Sequence, residues 1–160
     1  TVIVTNYQLW YTPMYINEYV PDIGVNTSDS TFQGIAPGQL ALHPGKGGEA
    51  SVLRFTAPAG GIYDIDGEFF AGDTGIMKVG VRQGSGFIWN GNDYGSFFID
   101  DKMLSAGDTV DFLVYTGIGG YVGGNTGLEL TISPVPIPPG VLLLGSGILG
   151  LGLFRRRHKR

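Results

Sequence analysis

Short runs of alternating apolar and polar residues occupy positions 51–133 and are separated by glycine or Asx turns. Strict alternation is typical of β-strands that bury one face and expose the other. In the run 62–70, one face would carry Tyr63, Ile65 and Phe69, and the other Asp64, Asp66 and Glu68. This run therefore predicts an antiparallel strand with one solvated face.

Similar patterns predict further strands at 2–8, 52–56, 77–82, 87–89, 96–99, 109–115 and 128–133. About eight strands indicate an all-β fold, an antiparallel β-sandwich or jelly roll. No window from 1 to 133 repeats apolar residues at the helical period, so we expect little helix there. Residues 8–49 lack a clean alternation and contain four prolines, which predicts long ordered loops.

The segment 141–154 reads VLLLGSGILGLGLF and contains no charge, and a basic tail at 155–160 follows it directly. This composition predicts a short hydrophobic C-terminal helix that lies in a membrane. Such a helix would be roughly 21 Å long, against a hydrocarbon layer of roughly 30 Å. The basic tail is expected to stay in the cytoplasm, which places the rest of the chain on the other side.

The proline-rich segment 134–140 precedes the apolar run. Together with the apolar run and the basic tail, it forms a three-part motif at the end of the chain. The residues concerned are Val135, Pro136, Ile137, Pro138 and Pro139, together with Arg155, Arg156 and Arg157. This order resembles the PEP-CTERM sorting signal of many Gram-negative bacteria, with Ile137 where the family usually has Glu. The resemblance implies export, transient retention in the inner membrane, and cleavage by an exosortase, a membrane transpeptidase. The protein would then reach the cell surface or the extracellular matrix.

This organisation predicts a body at 1–133, a proline-rich linker and sorting motif at 134–140, a membrane segment at 141–154 and a cytoplasmic tail at 155–160. The chain begins at Thr1, as expected if a leader has been removed. Two segments of the body, 51–63 and 106–112, resemble parts of secreted jelly-roll modules, including bodies attached to PEP-CTERM tails and some carbohydrate-binding-like domains.

Charge and composition exclude several classes of function. Outside the basic tail, five Lys and Arg remain against fourteen acidic residues, a difference of −9. An acidic body argues against a nucleic-acid partner, which requires clustered basic residues. The absence of cysteine excludes disulfides, thiolate zinc sites and a cysteine nucleophile.

No catalytic constellation is visible, so the sequence predicts a protein that is not an enzyme. His43 is the one histidine before the tail, and no G-x-S-x-G motif provides a serine nucleophile. We interpret His43 as a turn residue with a structural hydrogen bond.

Two acidic groups are candidates for calcium binding, because calcium takes carboxylate oxygens. One contains Asp64, Asp66 and Glu68, and the other contains Asp100, Asp101, Asp108 and Asp111. No EF-hand loop is present. The alternative, which we favour, is a solvated strand face with Arg54, Lys78 or Arg82 opposite. No cofactor is otherwise expected.

The loop 89–94 is the candidate for a glycan contact. Trp89 and Tyr94 offer aromatic rings, and Asn92 and Asp93 offer hydrogen bonds to hydroxyl groups. The alternative is a β-hairpin whose Asn-Gly turn brings Trp89 and Tyr94 together as a cross-strand pair. Turn chemistry explains every residue of the loop, so we favour the hairpin.

Two functions remain open. The first is an exported structural or adhesive protein of the cell surface or extracellular matrix, associated with biofilm or exopolysaccharide. Its partners would be an exosortase-like enzyme, the membrane through the tail, and exopolysaccharide or further copies of itself. The alternative is a carbohydrate-binding module that recognises exopolysaccharide.

Overall fold

The computed structural model describes residues 2–4, 6–12, 14, 18–91 and 94–136. These residues form eleven β-strands and no helix, which confirms the all-β prediction. The strands are β1 (Val2–Val4), β2 (Tyr7–Tyr11), β3 (Asp22–Asn26), β4 (Leu40–His43), β5 (Ser51–Thr56), β6 (Gly61–Ala71), β7 (Lys78–Gln83), β8 (Gly86–Gly91), β9 (Gly95–Leu104), β10 (Thr109–Tyr115) and β11 (Thr126–Pro134).

The strands form two antiparallel sheets. The larger sheet has seven strands in the order β1-β2-β3-β4-β11-β6-β9, and the smaller has four in the order β5-β10-β7-β8. A single core joins the two sheets. Buried members include Leu42, Ile65 and Phe69 from the larger sheet and Val110 and Phe112 from the smaller. The predicted β-sandwich is therefore confirmed.

Strand β6 follows the predicted alternation closely. Tyr63, Ile65 and Phe69 are buried, whereas Asp66 and Glu68 are exposed. These apolar residues face the smaller sheet, which withdraws them from water.

The prediction of long loops at 8–49 is correct for 27–39 but wrong for the rest, because this region contributes β3, β4 and most of β2 to the larger sheet. These strands are only four or five residues long, and they carry polar residues at half-buried or buried positions such as Asp22, Asn26 and His43. Short strands of this kind do not produce a long alternation. The predicted strand 2–8 also divides into β1 and β2, which pair with each other.

Strand β11 extends beyond residue 133, the predicted end of the body. Pro134 lies opposite Tyr63 in the pairing of β11 with β6, and Val135 N–H donates to Ile62 O at 2.8 Å. The remaining motif residues Ile137, Pro138 and Pro139, the membrane segment with its predicted helix, and Arg155 to Arg157 lie outside the described residues. Within the described ranges, no helix is long and apolar enough to cross a membrane.

The edge of the smaller sheet at β5 determines which part of the larger sheet stays uncovered. Strand β5 ends the smaller sheet and lies beside β3, where Ser51 Oγ donates to Asp22 O at 2.6 Å. Strand β2 is the next strand outward from β3 in the larger sheet. The smaller sheet therefore stops before it covers the inner face of β2.

Candidate functional site

The loop 89–94 does not form the predicted hairpin. Strand β8 pairs with β7 in the smaller sheet, whereas β9 pairs with β6 in the larger sheet. The loop therefore crosses from one sheet to the other. The hairpin interpretation is wrong because the aromatic residues join the shared core instead of pairing with each other.

Trp89 and Tyr94 both have structural contacts. The Trp89 ring stacks on Phe69 with a centroid distance of 5.9 Å and an interplanar angle of 12°. The Tyr94 hydroxyl donates to Gly75 O at 2.5 Å and accepts from Met77 N–H at 3.3 Å. Asn92 and Asp93 lie outside the described residues. This geometry gives the rings a packing role instead of the open platform that a glycan contact would need.

Asp111 is held by two guanidinium groups. Arg54 donates to its two carboxylate oxygens from Nε at 2.6 Å and Nη2 at 2.9 Å, and Arg82 Nη2 donates at 2.9 Å. The hydrogen bonds from Arg54 are the main reason that the pKa of Asp111 is lowered. Because both oxygens already face cationic partners, Asp111 is poorly suited to the calcium site that the sequence offered as one of two alternatives.

Asp108 has a local role. Its Oδ2 accepts a hydrogen bond from Ser105 N–H at 2.8 Å, and Asp108 N–H donates to Ser105 O at 3.0 Å. These bonds close the turn before β10. Asp108 therefore stabilises a turn, and this contact does not connect it with the other carboxylates of the candidate calcium group.

An irregularity in the pairing of β6 with β9 gathers three other carboxylates, those of Asp64, Asp100 and Asp101. Their oxygen atoms lie within 4.8 Å of one another, so the group could hold a cation. Asp101 N–H donates to Asp64 Oδ1 at 3.0 Å, and the Asp101 φ angle is 49°. A hydrogen bond with the Asp64 carboxyl is the main reason that the pKa of Asp100 is raised.

Asp66 and Glu68 do not join this group. They lie along the outer face of β6, where they line a shallow groove with Ser96, Glu129 and Thr131. The sequence placed Asp64 with Asp66 and Glu68 because they share a strand face. The structure instead brings Asp64 to Asp100 and Asp101, since the bulge sets two residues of β9 opposite one residue of β6.

A pocket on the outer face of β2, β3 and β4, here called the outer pocket, was missed by sequence reasoning. Its volume is about 250 Å³, and it is lined by Tyr7, Leu9, Asp22, Phe32, Gln33, Ala41, His43 and Asn125. Asp22 lies opposite both Tyr11 and His43, and Ile23 lies opposite Leu42. Because Ile23 and Leu42 face the core, Asp22 and His43 face outward.

The loop 27–39 forms one wall of the outer pocket. Asn26 Nδ2 donates to Ile35 O at 2.8 Å and to Ser30 O at 2.9 Å, which fixes the loop to the end of β3. The Tyr7 hydroxyl donates to Phe32 O at 3.0 Å. These contacts hold Phe32 and Gln33 over the strands.

Burial shifts the pKa values of three groups in the outer pocket. It raises the pKa of Asp22 to about 7. It also raises the pKa of Tyr7 to about 12, with smaller contributions from the charges of Asp22 and Asp73. Burial lowers the pKa of His43, whose Nδ1 lies 2.8 Å from Pro44 O. This last contact agrees with the structural hydrogen bond predicted for His43, but the predicted turn is wrong because His43 is the last residue of β4.

A second concavity, here called the rim groove, lies where β5 ends the smaller sheet. Its volume is about 350 Å³, and it is lined by Trp10, Tyr11, Thr12, Pro21, Asp22, Ile23, Ala50, Ser51 and Val52. Trp10 lies opposite Ile23 and therefore on the inner face, yet its side chain is 45% exposed. Beside the groove, Tyr19 meets Tyr11 edge to face at a centroid distance of 5.1 Å.

Sequence reasoning also missed the rim groove. The adjacent aromatics Trp10 and Tyr11 were a visible signal, but their significance depends on how far the smaller sheet extends.

No family model and no curated protein matches this sequence. Two solved structures are similar to it at low identity. One is a family 35 carbohydrate-binding module from an environmental isolate, with 21% identity, a TM-score of 0.35, and coverage of 57% of this chain and 73% of the module. The other is a GH26-CBM35 β-(1,4)-mannanase of Podospora anserina, with 16% identity and a TM-score of 0.33. That match covers 86% of this chain and 27% of the mannanase.

Proposed function

We propose that this chain is a non-catalytic, polysaccharide-binding protein of the cell surface or extracellular matrix, and that the rim groove is its binding site. The observation that supports the proposal is the exposed Trp10 ring on a face that the smaller sheet leaves uncovered. An indole with one side in water is well suited to stacking on the apolar face of a sugar ring. Tyr11 and the partly exposed Tyr19 extend the aromatic surface.

The groove also offers polar groups for sugar hydroxyls. Strand β5 is an end strand, so the backbone at Ser51 and Val52 lies along a sheet edge at the groove. Edge strands present N–H and C=O groups that can bind a ligand. Thr12 adds a hydroxyl to the lining. An aromatic surface beside a few polar groups is the usual composition of a small-ligand site.

The first of the two similar structures described above is itself a carbohydrate-binding module, and the mannanase carries the same family name, CBM35. We assign the sandwich to the jelly-roll class within this proposal. Both TM-scores are below 0.5, so these two structures carry no argument for the function. The proposal rests on the rim groove of this chain.

The test is binding of the full chain to a panel of insoluble polysaccharides and to a glycan array. Trp10→Ala should weaken binding of any recognised glycan by roughly tenfold, because a stacking surface is lost. Phe98→Ala is the matched control, since Phe98 is 62% exposed on β9, at the opposite edge of the larger sheet. Binding that survives Trp10→Ala, or no binding to any glycan, would contradict the proposal.

Export and processing form the second part of the proposal, supported by the motif at 135–139, the apolar run and the arginine cluster. An exosortase-like enzyme would cut near the prolines while Arg155, Arg156 and Arg157 oppose translocation of the end. The test is the intact mass of the native protein, with and without the host enzyme. A surface-located protein whose mass still includes Arg160 would contradict processing.

A further inference from the structure

The outer pocket contains a carboxyl group, that of Asp22, for which the described residues supply no counterion. Burial is the one cause of the raised pKa of Asp22, and no donor among the described residues bonds to its side chain. No Lys or Arg belongs to the residues that line the pocket. A half-buried carboxylate of this kind is destabilised in its charged form unless a positive group approaches it.

The other polar groups of the pocket are mainly acceptors. The Tyr7 hydroxyl gives its proton to Phe32 O, so its oxygen lone pairs remain available. His43 reaches Pro44 O through Nδ1, which must therefore carry the proton, and the neutral ring leaves Nε2 as an acceptor. Asn125 Nδ2 donates to Gln33 Oε1 at 2.7 Å, so this bond uses one donor of Asn125 and the amide oxygen of Gln33. A ligand rich in donors would match this lining.

The local field is negative. The charge of Asp73 contributes to raising the pKa of Tyr7, and it partly opposes the lowering of the pKa of His43. The rings of Tyr7 and Phe32 lie 5.8 Å apart with a tilt of 60°. Aromatic rings beside a negative pocket favour a cation, because the ring faces carry partial negative charge.

We propose that the outer pocket binds one amine-bearing sugar unit, and that Asp22 is the counterion of its ammonium group. The ammonium group supplies three donors for Asp22, Tyr7 and His43. Leu9 and Ala41 provide an apolar floor for the sugar ring. A volume of about 250 Å³ suits a single ring, and the negative field excludes uronate or sulfated units.

The outer pocket and the rim groove share Asp22 in their linings but no other residue. Trp10 lies on the inner face of β2, whereas the side chain of Asp22 lies on the outer face of β3. The two proposals can therefore fail independently of each other.

The experiment titrates the full chain at pH 7 with glucosamine, N-acetylglucosamine, glucose and Nα-acetyl-lysine amide, and follows amide chemical shifts by NMR. Glucosamine should bind with a Kd of roughly 1 mM or below, and N-acetylglucosamine and glucose at least about tenfold more weakly. Asp22→Asn should weaken glucosamine binding by at least about tenfold, because it removes the charge and preserves the shape. Asp66→Asn is the control and should have no effect.

Trp10→Ala should leave glucosamine binding unchanged, which distinguishes this site from the rim groove. The proposal is overturned if glucosamine produces no saturable shift, if N-acetylglucosamine binds equally well, or if Asp22→Asn binds like the wild type. Tighter binding of the lysine derivative would assign the pocket to a protein partner and would also overturn the sugar proposal.

Discussion

Gly34 occupies a position that no other residue type fits. It lies in the turn between Phe32 and Ile35 with a φ angle of 74°, and a Cβ there would overlap the backbone carbonyl of Gly72. Gly38 has a similar φ angle of 76°, but a Cβ there would meet no atom within 4 Å. Both alanine substitutions should cost about 1 kcal/mol for the left-handed backbone. Gly34→Ala should lower the Tm much more than Gly38→Ala does. Equal decreases in Tm, measured by thermal unfolding, would contradict the predicted overlap.

Asp22 makes the stability of the protein depend on pH. Its pKa rises from 3.8 in the unfolded chain to about 7 in the folded protein, so the folded state holds a proton that the unfolded state releases. Its contribution is therefore most favourable below pH 4 and falls as the pH rises toward 7, by an amount on the order of 4 kcal/mol. Asp22→Asn should raise the free energy of unfolding at pH 8 and change it little at pH 4.

Denaturant unfolding of both proteins at the two pH values measures this difference. Comparing the variant with the wild type isolates the effect of Asp22 on the pH dependence of the free energy of unfolding. The lowered pKa of His43 changes that pH dependence in the opposite direction and is common to both proteins. Asp66→Asn is the control, because Asp66 is exposed. A gain for Asp22→Asn that is the same at pH 4 and pH 8 would show that the carboxyl charge is not its cause.

At the scale of elements, the irregular pairing of β6 with β9 combines backbone strain with charge repulsion. Asp101 has a φ angle of 49° and lies within 4.8 Å of the carboxylates of Asp64 and Asp100. Asp101→Gly should raise the Tm by a few degrees in the presence of chelator, because it removes a like charge and accommodates the backbone. The backbone bond to Asp64 would remain.

The same variant tests whether the cluster holds calcium. We expect calcium to change the Tm of wild type and Asp101→Gly only slightly, as predicted for a solvated acidic face. A large, saturable gain for the wild type alone would show that these carboxylates bind the ion. Asp66→Asn removes a charge from the same sheet face without altering the bulge and controls for general charge effects.

At the scale of the whole molecule, the pairing of β11 determines where the body can be separated from the tail. Val135 still bonds to Ile62 O, so a chain ending at residue 136 should be more stable than one ending at 133. The chain 1–136 should be soluble and give a strand-dominated circular dichroism spectrum. A helix-dominated spectrum, or aggregation of the truncated chain alone, would show that the tail contributes to the folded core.

The parts of the fold that were predictable are those in which neighbouring residues carry the information. Tyr63, Ile65 and Phe69 fixed the inner face of β6 because successive side chains of a strand point to opposite sides. Strands β3 and β4 were not predictable in this way, since each is short and carries polar residues such as Asp22 and His43. The count of fourteen acidic residues predicted the negative charge of the body, but it did not predict which acidic residues lie together in the structure.

The sequence by itself determined the strand class of 51–133, the acidic character of the body and the order of motifs at its end. Tertiary structure alone decided which distant residues meet. Asp111 meets Arg54 across 57 positions, and Asp101 meets Asp64 across 37. The open face of Trp10 also depends on where β5 ends the smaller sheet. Alternation is a local property of one strand, whereas register and sheet width depend on packing between strands, and the candidate sites arise from the latter.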